Sequence, residues 1–219
     1  MCINNCVVTA FLGCRLDLPT LAWRCHGEFD PVKFAAAKLR ISDPPTTALI
    51  FASGKVVCTG AASERAAFAA VLKYARLIRR NVPGKSRVRC LDVRFQNMVS
   101  SARFGKNINL SSLFEALKKE TTIVRWNPQI FPGLHFLPAS IDSTLPPKNF
   151  VIVFSSGKVV ITGAKSRDEI ARTWRFTHGR IASHATDEEL FHSKVVTAKR
   201  LEEITEEESE IENFDLDDF

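Results

Sequence analysis

FASGKVVCTGAASE at residues 51–64 and FSSGKVVITGAKSR at residues 154–167 are two copies of one segment, identical at ten of fourteen positions and offset by 103 residues. An internal match of this kind reports a structural unit built twice. Each copy has the grammar of a hairpin that runs into a helix. In Ala52-Ser53-Gly54-Lys55 and Ser155-Ser156-Gly157-Lys158 the glycine supplies the positive φ of a tight turn. Val56–Thr59 and Val159–Thr162 return as strands. Ser63 and Ser166 stand where a helix needs an N-cap, and Glu169 completes a capping box behind the second. Two such units predict a pseudo-two-fold axis, a shape suited to a long linear target with approximate two-fold symmetry, such as duplex DNA.

The same order of elements surrounds both copies. In the first unit, Asn5–Ala10 reads as a strand, Asp17 caps a short helix with Pro19 in its first turn, and extended segments follow around 34–41 and 46–52. Phe68, Val71, Leu72, Ala75 and Ile78 give the long helix after Ser63 an apolar face, and Pro83-Gly84 ends it. In the second unit, Val93–Ser101 is the opening strand, 110–119 a helix, Phe150–Phe154 a strand, and Ile170, Thr173, Trp174, Thr177 and Ile181 the apolar face of the last helix. The expected fold is α+β: two pseudo-symmetric repeats, 1–90 and 91–182, forming one curved antiparallel sheet with helices on the convex face. Residues 183–219 read as an acidic, disordered tail, with a weak helix at 187–200.

Composition limits the function. The net charge of +6 conceals +16 on residues 1–186 and −10 on residues 187–219. A basic body suits a polyanionic partner. The acidic end suits a protein partner, or alternatively imitates DNA in cis. No apolar run is long enough for a membrane helix, and the opening MCINNCVVTAF has no basic n-region, so neither membrane nor secretion is expected. The six cysteines (2, 6, 14, 25, 58, 90) include no CxxC pair and read as reduced, mostly buried thiols. The five histidines show no metal spacing, no phosphate-binding loop or nucleophile elbow is present, and Asp17 and Asp43 are explained by a cap and a turn. No enzyme, cofactor, metal or small-molecule substrate is expected.

Strand period places a distinctive set of side chains on the uncovered sheet face, since residues i, i+2 and i+4 share a side. The first unit contributes Asn5, Val7 and Thr9, Leu49 and Phe51, and Val57 and Thr59. The second contributes Asn97, Val99 and Ser101, Ile152 and Phe154, and Val160 and Thr162. Both sets combine an amide, β-branched apolar residues, small hydroxyls and a phenylalanine. An amide donates to adenine N3 or thymine O2 in a minor groove, and an apolar floor rejects the guanine amino group, so the combination favours A·T pairs.

At this point the chain resembles the TATA-binding protein family. TTALIFASGKVVCTGA (46–61), LKYAR (72–76), FQNMV (95–99), FPGL (131–134) and FSSGKVVITGAKSRDEI (154–170) carry the resemblance, with LGCRLDL (12–18) and FDPVKFAAAKLRI (29–41), over roughly residues 3–182. The resemblance implies a saddle-shaped sheet in the minor groove, with Phe34, Phe51, Phe131 and Phe154 wedged into base steps. It implies phosphate contacts from Arg40, Lys55, Lys158 and Lys165, and nuclear partners that include promoter DNA, TFIIA- and TFIIB-type factors and TBP-associated factors. Lys73, Arg76, Arg79 and Arg80 match a convex basic patch used by TFIIA and other regulators.

Three departures stand out. The family's acidic Glu-Pro-Glu-Leu element, a TFIIB docking site, reads Asn127-Pro128-Gln129-Ile130 here. His135-Phe136-Leu137 lacks the family's arginine after FPGL, and the segment 138–149 is about six residues longer. They leave a rival expectation: a divergent TBP-related factor with reduced TATA preference, acting mainly as a protein-recruiting scaffold at TATA-less or small-RNA promoters.

Overall fold

The computed structural model describes residues 1–84, 88–120, 123–138 and 149–189. The first half runs β1 (Cys2–Phe11), α1 (Leu18–Arg24), β2 (Ala36–Ser42), β3 (Pro45–Phe51), β4 (Lys55–Ala61) and α2 (Glu64–Asn81). The second runs β5 (Leu91–Arg103), β6 (Lys106–Ile108), α3 (Leu110–Glu120), β7 (Val124–Asn127), β8 (Phe131–Phe136), β9 (Phe150–Val153), β10 (Lys158–Ala164) and α4 (Arg167–Ala182), then β11 (Ala185–Glu189). Nine strands form one antiparallel sheet in the order β2-β3-β4-β1-β5-β10-β9-β8-β7. The order is symmetric about the β1–β5 seam, so the α+β architecture of two joined repeats is the one that forms. β7 extends one edge; at the other, Glu28 bridges Lys38 in the corresponding place.

Local chemistry builds both halves alike. Gly54 and Gly157 take φ of +90° and +73° in the two hairpins, and a Cβ on either would lie 2.2 Å from the backbone oxygen of Cys14 or Lys106. No other residue fits so close an approach at that φ. Ser63 Oγ accepts from Ala66 N–H at 3.1 Å, and Ser166 Oγ from Glu169 N–H at 3.3 Å. Asp17 Oδ2 caps α1 through Thr20 N–H at 3.2 Å. The Glu169 carboxylate reaches past the cap itself to Lys165 N–H, at 2.7 Å.

One sheet face is packed and the other is open. Cys6, Val8, Ala10, Ala48, Ile50, Val56, Cys58, Met98, Val151, Val153, Val159 and Ile161 point into the core, while their strand alternates remain half-exposed. α2 packs on β1, β3 and β4, and α4 on β10. The stripe that α2 buries is Ala67, Ala70, Val71, Tyr74, Ala75 and Ile78, so the expected face through Phe68 and Leu72 is rotated; both of those are half-exposed. Alanines let the helix approach closely, and that approach sets its phase. Tyr74 is fully buried and donates to Thr46 O at 2.8 Å.

Glu64 and Arg167 are the last positions of the repeated segment, one of the four places where the copies differ. They begin α2 and α4 and meet across the seam, with Arg167 Nε 2.6 Å from Glu64 Oε2. Identical charges at this point would repel.

Two further expectations are corrected. Residues 185–189 do not start a tail or a helix; they form β11, which pairs with β6 in a second small sheet. Of the six cysteines only Cys6, Cys25 and Cys58 are buried, while Cys2 is exposed and Cys14 and Cys90 are intermediate. The longer loop at 139–148 and the acidic stretch 190–219 lie outside the described residues.

Candidate nucleic-acid interface

The open face is built by the strand alternates to the core. Asn5, Val7, Thr9, Leu49, Val57, Thr59, Asn97, Val99, Ser101, Ile152, Val160 and Thr162 are all neither buried nor fully exposed, and the register brings them into continuous rows. Leu49 lies opposite Val57, and Val57 opposite Thr9. Ile152 lies opposite Val160, and Val160 opposite Ser101. The two rows correspond across the seam.

Paired bulges aim the two amides. Between Cys6 and Val8 the β1–β4 register slips by one residue, opposite Thr59-Gly60. The β10–β5 register slips likewise at Thr162-Gly163. Gly60 and Gly163 take φ of +106° and +95° there, freeing an N–H from the ladder. Gly60 N–H donates to Asn5 Oδ1 and Gly163 N–H to Asn97 Oδ1, each at 2.8 Å. Thr59 Oγ1 adds a donation to Asn5 Oδ1 at 3.2 Å. A backbone N–H can face only an acceptor, so these bonds fix which end of each amide is oxygen. Neither NH2 group has a hydrogen-bond partner among the described residues.

Four phenylalanines come together as two matched pairs at opposite ends of the face. Phe34 and Phe51 sit edge to face with centroids 6.1 Å apart, and Phe131 and Phe154 do so at 5.8 Å. Phe34 is 52% exposed and Phe131 41%. These are large apolar surfaces to leave in water, and neither ring packs under a helix.

Cations rim the face. Lys55, Lys158 and Lys165 are exposed, the first two directly after the hairpin glycines. Arg40 is already engaged: its Nη1 donates to Glu28 Oε1. That bond, with the Arg40 and Lys38 charges, holds the Glu28 carboxyl below the usual carboxylate range. The α2 patch lies away from this face. Lys73 Nζ binds Asp43 Oδ2 at 2.7 Å, Arg76 is half-exposed, and Arg79 and Arg80 are exposed. Asn127, Gln129 and Ile130 form the tight turn between β7 and β8, with Asn127 Oδ1 accepting from Gln129 N–H at 3.1 Å and Ile130 83% exposed.

The sequence reading missed several residues on the open face, among them Thr47 and Phe150, opposite Thr59 and Thr162. Phe11 and Arg103 continue the period-2 rows past Thr9 and Ser101, opposite Lys55 and Lys158. Lys38 lies opposite Leu49, and His135 opposite Ile152. Extending the alternation by one step from Thr9, Ser101, Leu49 and Ile152 finds Phe11, Arg103, Thr47 and Phe150, whereas Lys38 and His135 lie on the neighbouring strands β2 and β8.

Residues 1–81 and 92–183 match the family described as "Transcription factor TFIID (or TATA-binding protein, TBP)". The chain belongs to the TATA-binding protein family. It is 43% identical over 170 residues to the TATA-box-binding protein of Danio rerio, covering 77% of this chain and 52% of that one. It is 43% identical over 169 residues to that of Acanthamoeba castellanii, covering 77% and 61%. Among solved structures, Methanococcus jannaschii TBP superposes with a TM-score of 0.67 at 31% identity, over 83% of this chain and 97% of the other. The chain thus spans about half to three fifths of the length of the Danio rerio and Acanthamoeba castellanii proteins.

Proposed function

We propose that this protein is a general transcription initiation factor that binds promoter DNA in the minor groove through its open sheet face. The observation that carries the reading is the matched pair of outward amides, each pinned through its oxygen to a bulge glycine, in the centre of an apolar floor. Amide donors suit the adenine N3 and thymine O2 acceptors, and Val7, Val57, Val99 and Val160 surround them with surface that would desolvate a guanine amino group. The Phe34/Phe51 and Phe131/Phe154 pairs act as wedges at the two end steps and bend the duplex. Lys55, Lys158 and Lys165 hold phosphates, and Arg40 does so by exchanging Glu28 for one, adding affinity and salt dependence without reading sequence.

On this reading the protein works in the nucleus and recruits other initiation factors. The α2 patch of Lys73, Arg76, Arg79 and Arg80 receives a TFIIA-type partner or regulator, and the 127–130 turn a TFIIB-type partner. The uncharged Asn127-Pro128-Gln129 with a projecting Ile130 favours an apolar contact there over a charged one. A scaffold with reduced TATA preference is the second reading, favoured by that turn.

A fluorescence titration at fixed salt decides between them, with a doubly end-labelled TATA duplex and a G·C-rich control. Tight, selective binding with strong energy transfer between the ends supports the TATA-reading factor. Weak, unselective binding without a bend supports the scaffold.

A further inference from the structure

The two ends of the open face are related by the pseudo-two-fold axis but differ in chemistry. Lys38 and His135 occupy corresponding places, each four residues after the first phenylalanine of its pair and each opposite the matched Leu49 or Ile152. Lys38 faces an acidic neighbour, with Nζ 3.7 Å from Glu28 Oε2. His135 lies beside a wedge ring instead: Phe131 stands edge-on to its imidazole, centroids 4.9 Å apart and planes 83° from parallel. His135 Nε2 is buried and has no hydrogen-bond partner among the described residues. A buried polar atom without a partner is costly, and such an atom at a binding face points to a partner supplied from outside.

We propose that His135 is a base-reading residue that admits a G·C pair at the position beside the Phe131 wedge, while the Phe34 end keeps the A·T restriction. The inference rests on the minor-groove reading above and deepens it. When Phe131 enters a base step, its ring leaves the imidazole and a base edge takes its place. A neutral imidazole has one accepting nitrogen, whereas an ammonium has three donors and no acceptor. In the minor groove, A·T and T·A offer only acceptors, and guanine adds the N2 amino donor. His135 can therefore satisfy that amino group. Lys38 cannot, and Val and Leu surfaces only desolvate it. The result is a face whose two ends tolerate different base pairs, which gives the complex a direction on DNA.

The test uses the full chain and duplexes in which the outermost A·T pair at one end or the other is replaced by G·C or by inosine·C, which lacks the amino group. Affinity ratios within one variant cancel any change in folded fraction. The wild type should bind G·C within about threefold of A·T at one end and lose about tenfold at the other. His135→Ile should impose the roughly tenfold loss at the tolerant end too, and inosine·C should relieve it. His135→Gln, which retains an accepting oxygen, should keep the tolerance. Equal G·C penalties at both ends in the wild type, or ratios unmoved by His135→Ile, overturn the proposal while leaving minor-groove binding intact. Absence of binding to every duplex overturns both.

Discussion

Changing Asn97 to Asp separates what the amide does for the fold from what it does for the ligand. The carboxylate is nearly isosteric and keeps an acceptor for Gly163 N–H, now 2.8 Å from Asn97 Oδ1. What it loses is the NH2 turned toward the open face. Two DNA acceptors would then lie against Val7, Val99 and Val160 without donors, each at a cost of about 1–3 kcal/mol. A carboxylate facing lone pairs adds repulsion. A loss of about 3 kcal/mol or more follows, on the order of a hundredfold in Kd. Stability should hold, with Tm within about 2 °C of the wild type, because the bond that secures the bulge survives. Asn97→Ala provides the contrast: it strips the acceptor from Gly163 N–H, and Tm should fall by several degrees along with affinity. Fluorescence anisotropy with an A·T-rich duplex and a thermal melt on the same preparations give both numbers. An Asn97→Asp variant that binds within threefold of wild type would refute the placement of the amide donors. So would a melt that falls as far as that of Asn97→Ala, since it would mean the carboxylate does not hold the bulge.

Removing one ring from each aromatic pair, Phe51→Ala with Phe154→Ala, should cut affinity by at least two decades and abolish end-to-end energy transfer; an unchanged bend would show that the pairs do not wedge. Lys158→Ala should weaken all duplexes alike and flatten the salt dependence by about one ion, and a sequence-selective loss in the same titration would contradict a phosphate contact. Glu64→Arg sets two arginines against each other across the seam and should lower Tm by a few degrees, since a part-buried pair is worth about 1 kcal/mol. The swap Glu64→Arg with Arg167→Glu should restore the melt, and failure to do so would assign the loss to packing. Burial pushes the Cys6 and Cys58 thiols up from 9.0 to about 11. Their contribution is complete below pH 9 and fades as pH rises toward 11, because the unfolded chain ionises first. Alkylation of the folded protein at pH 8 should mark exposed Cys2 and spare Cys6 and Cys58, with the urea midpoint falling between pH 9 and 10.5; rapid labelling of Cys58 would contradict its burial.

What the sequence made legible followed from short-range rules. Period-2 alternation placed Asn5, Val7 and Thr9 on one face, hairpin glycines marked the turns, and the hydroxyls of Ser63 and Ser166 marked helix starts; each depends on residues within a few positions. The bonds from Gly60 to Asn5 and from Gly163 to Asn97 span 55 and 66 residues and exist only because the register slips at two bulges. No local pattern encodes a slip. The phase of α2 was misread for a related reason. Phe68 and Leu72 are the larger apolar side chains, but Ala67 and Ala70 are what let the helix lie close to β1 and β4. β11 escaped notice because Ala185–Glu189 has no apolar alternation; the strand forms through backbone pairing with β6.

Duplication accounts for the shared floor, and divergence accounts for the differences that matter. The valines at 57 and 160, the threonines at 59 and 162 and the glycines at 60 and 163 are identical in the two copies, since both halves of the face need the same bulge and the same apolar surface. Two kinds of place where the copies depart from each other bear on assembly and binding. At the seam, where corresponding positions touch, Glu64 and Arg167 turn self-repulsion into attraction. At the ends, where corresponding positions are farthest apart, Lys38 corresponds to His135, Arg40 to Leu137 and Ala36 to Gly133. Gly133 is forced by crowding: a Cβ there would lie 2.6 Å from Phe131 and 2.8 Å from Ile152. A perfectly symmetric saddle would bind a site equally well in either orientation. Matched positions such as Val57 and Val160 or Thr59 and Thr162 cannot set the direction of the complex on DNA; unlike ones can, both Lys38 and His135 at the ends and Thr47 and Phe150 opposite the two threonines.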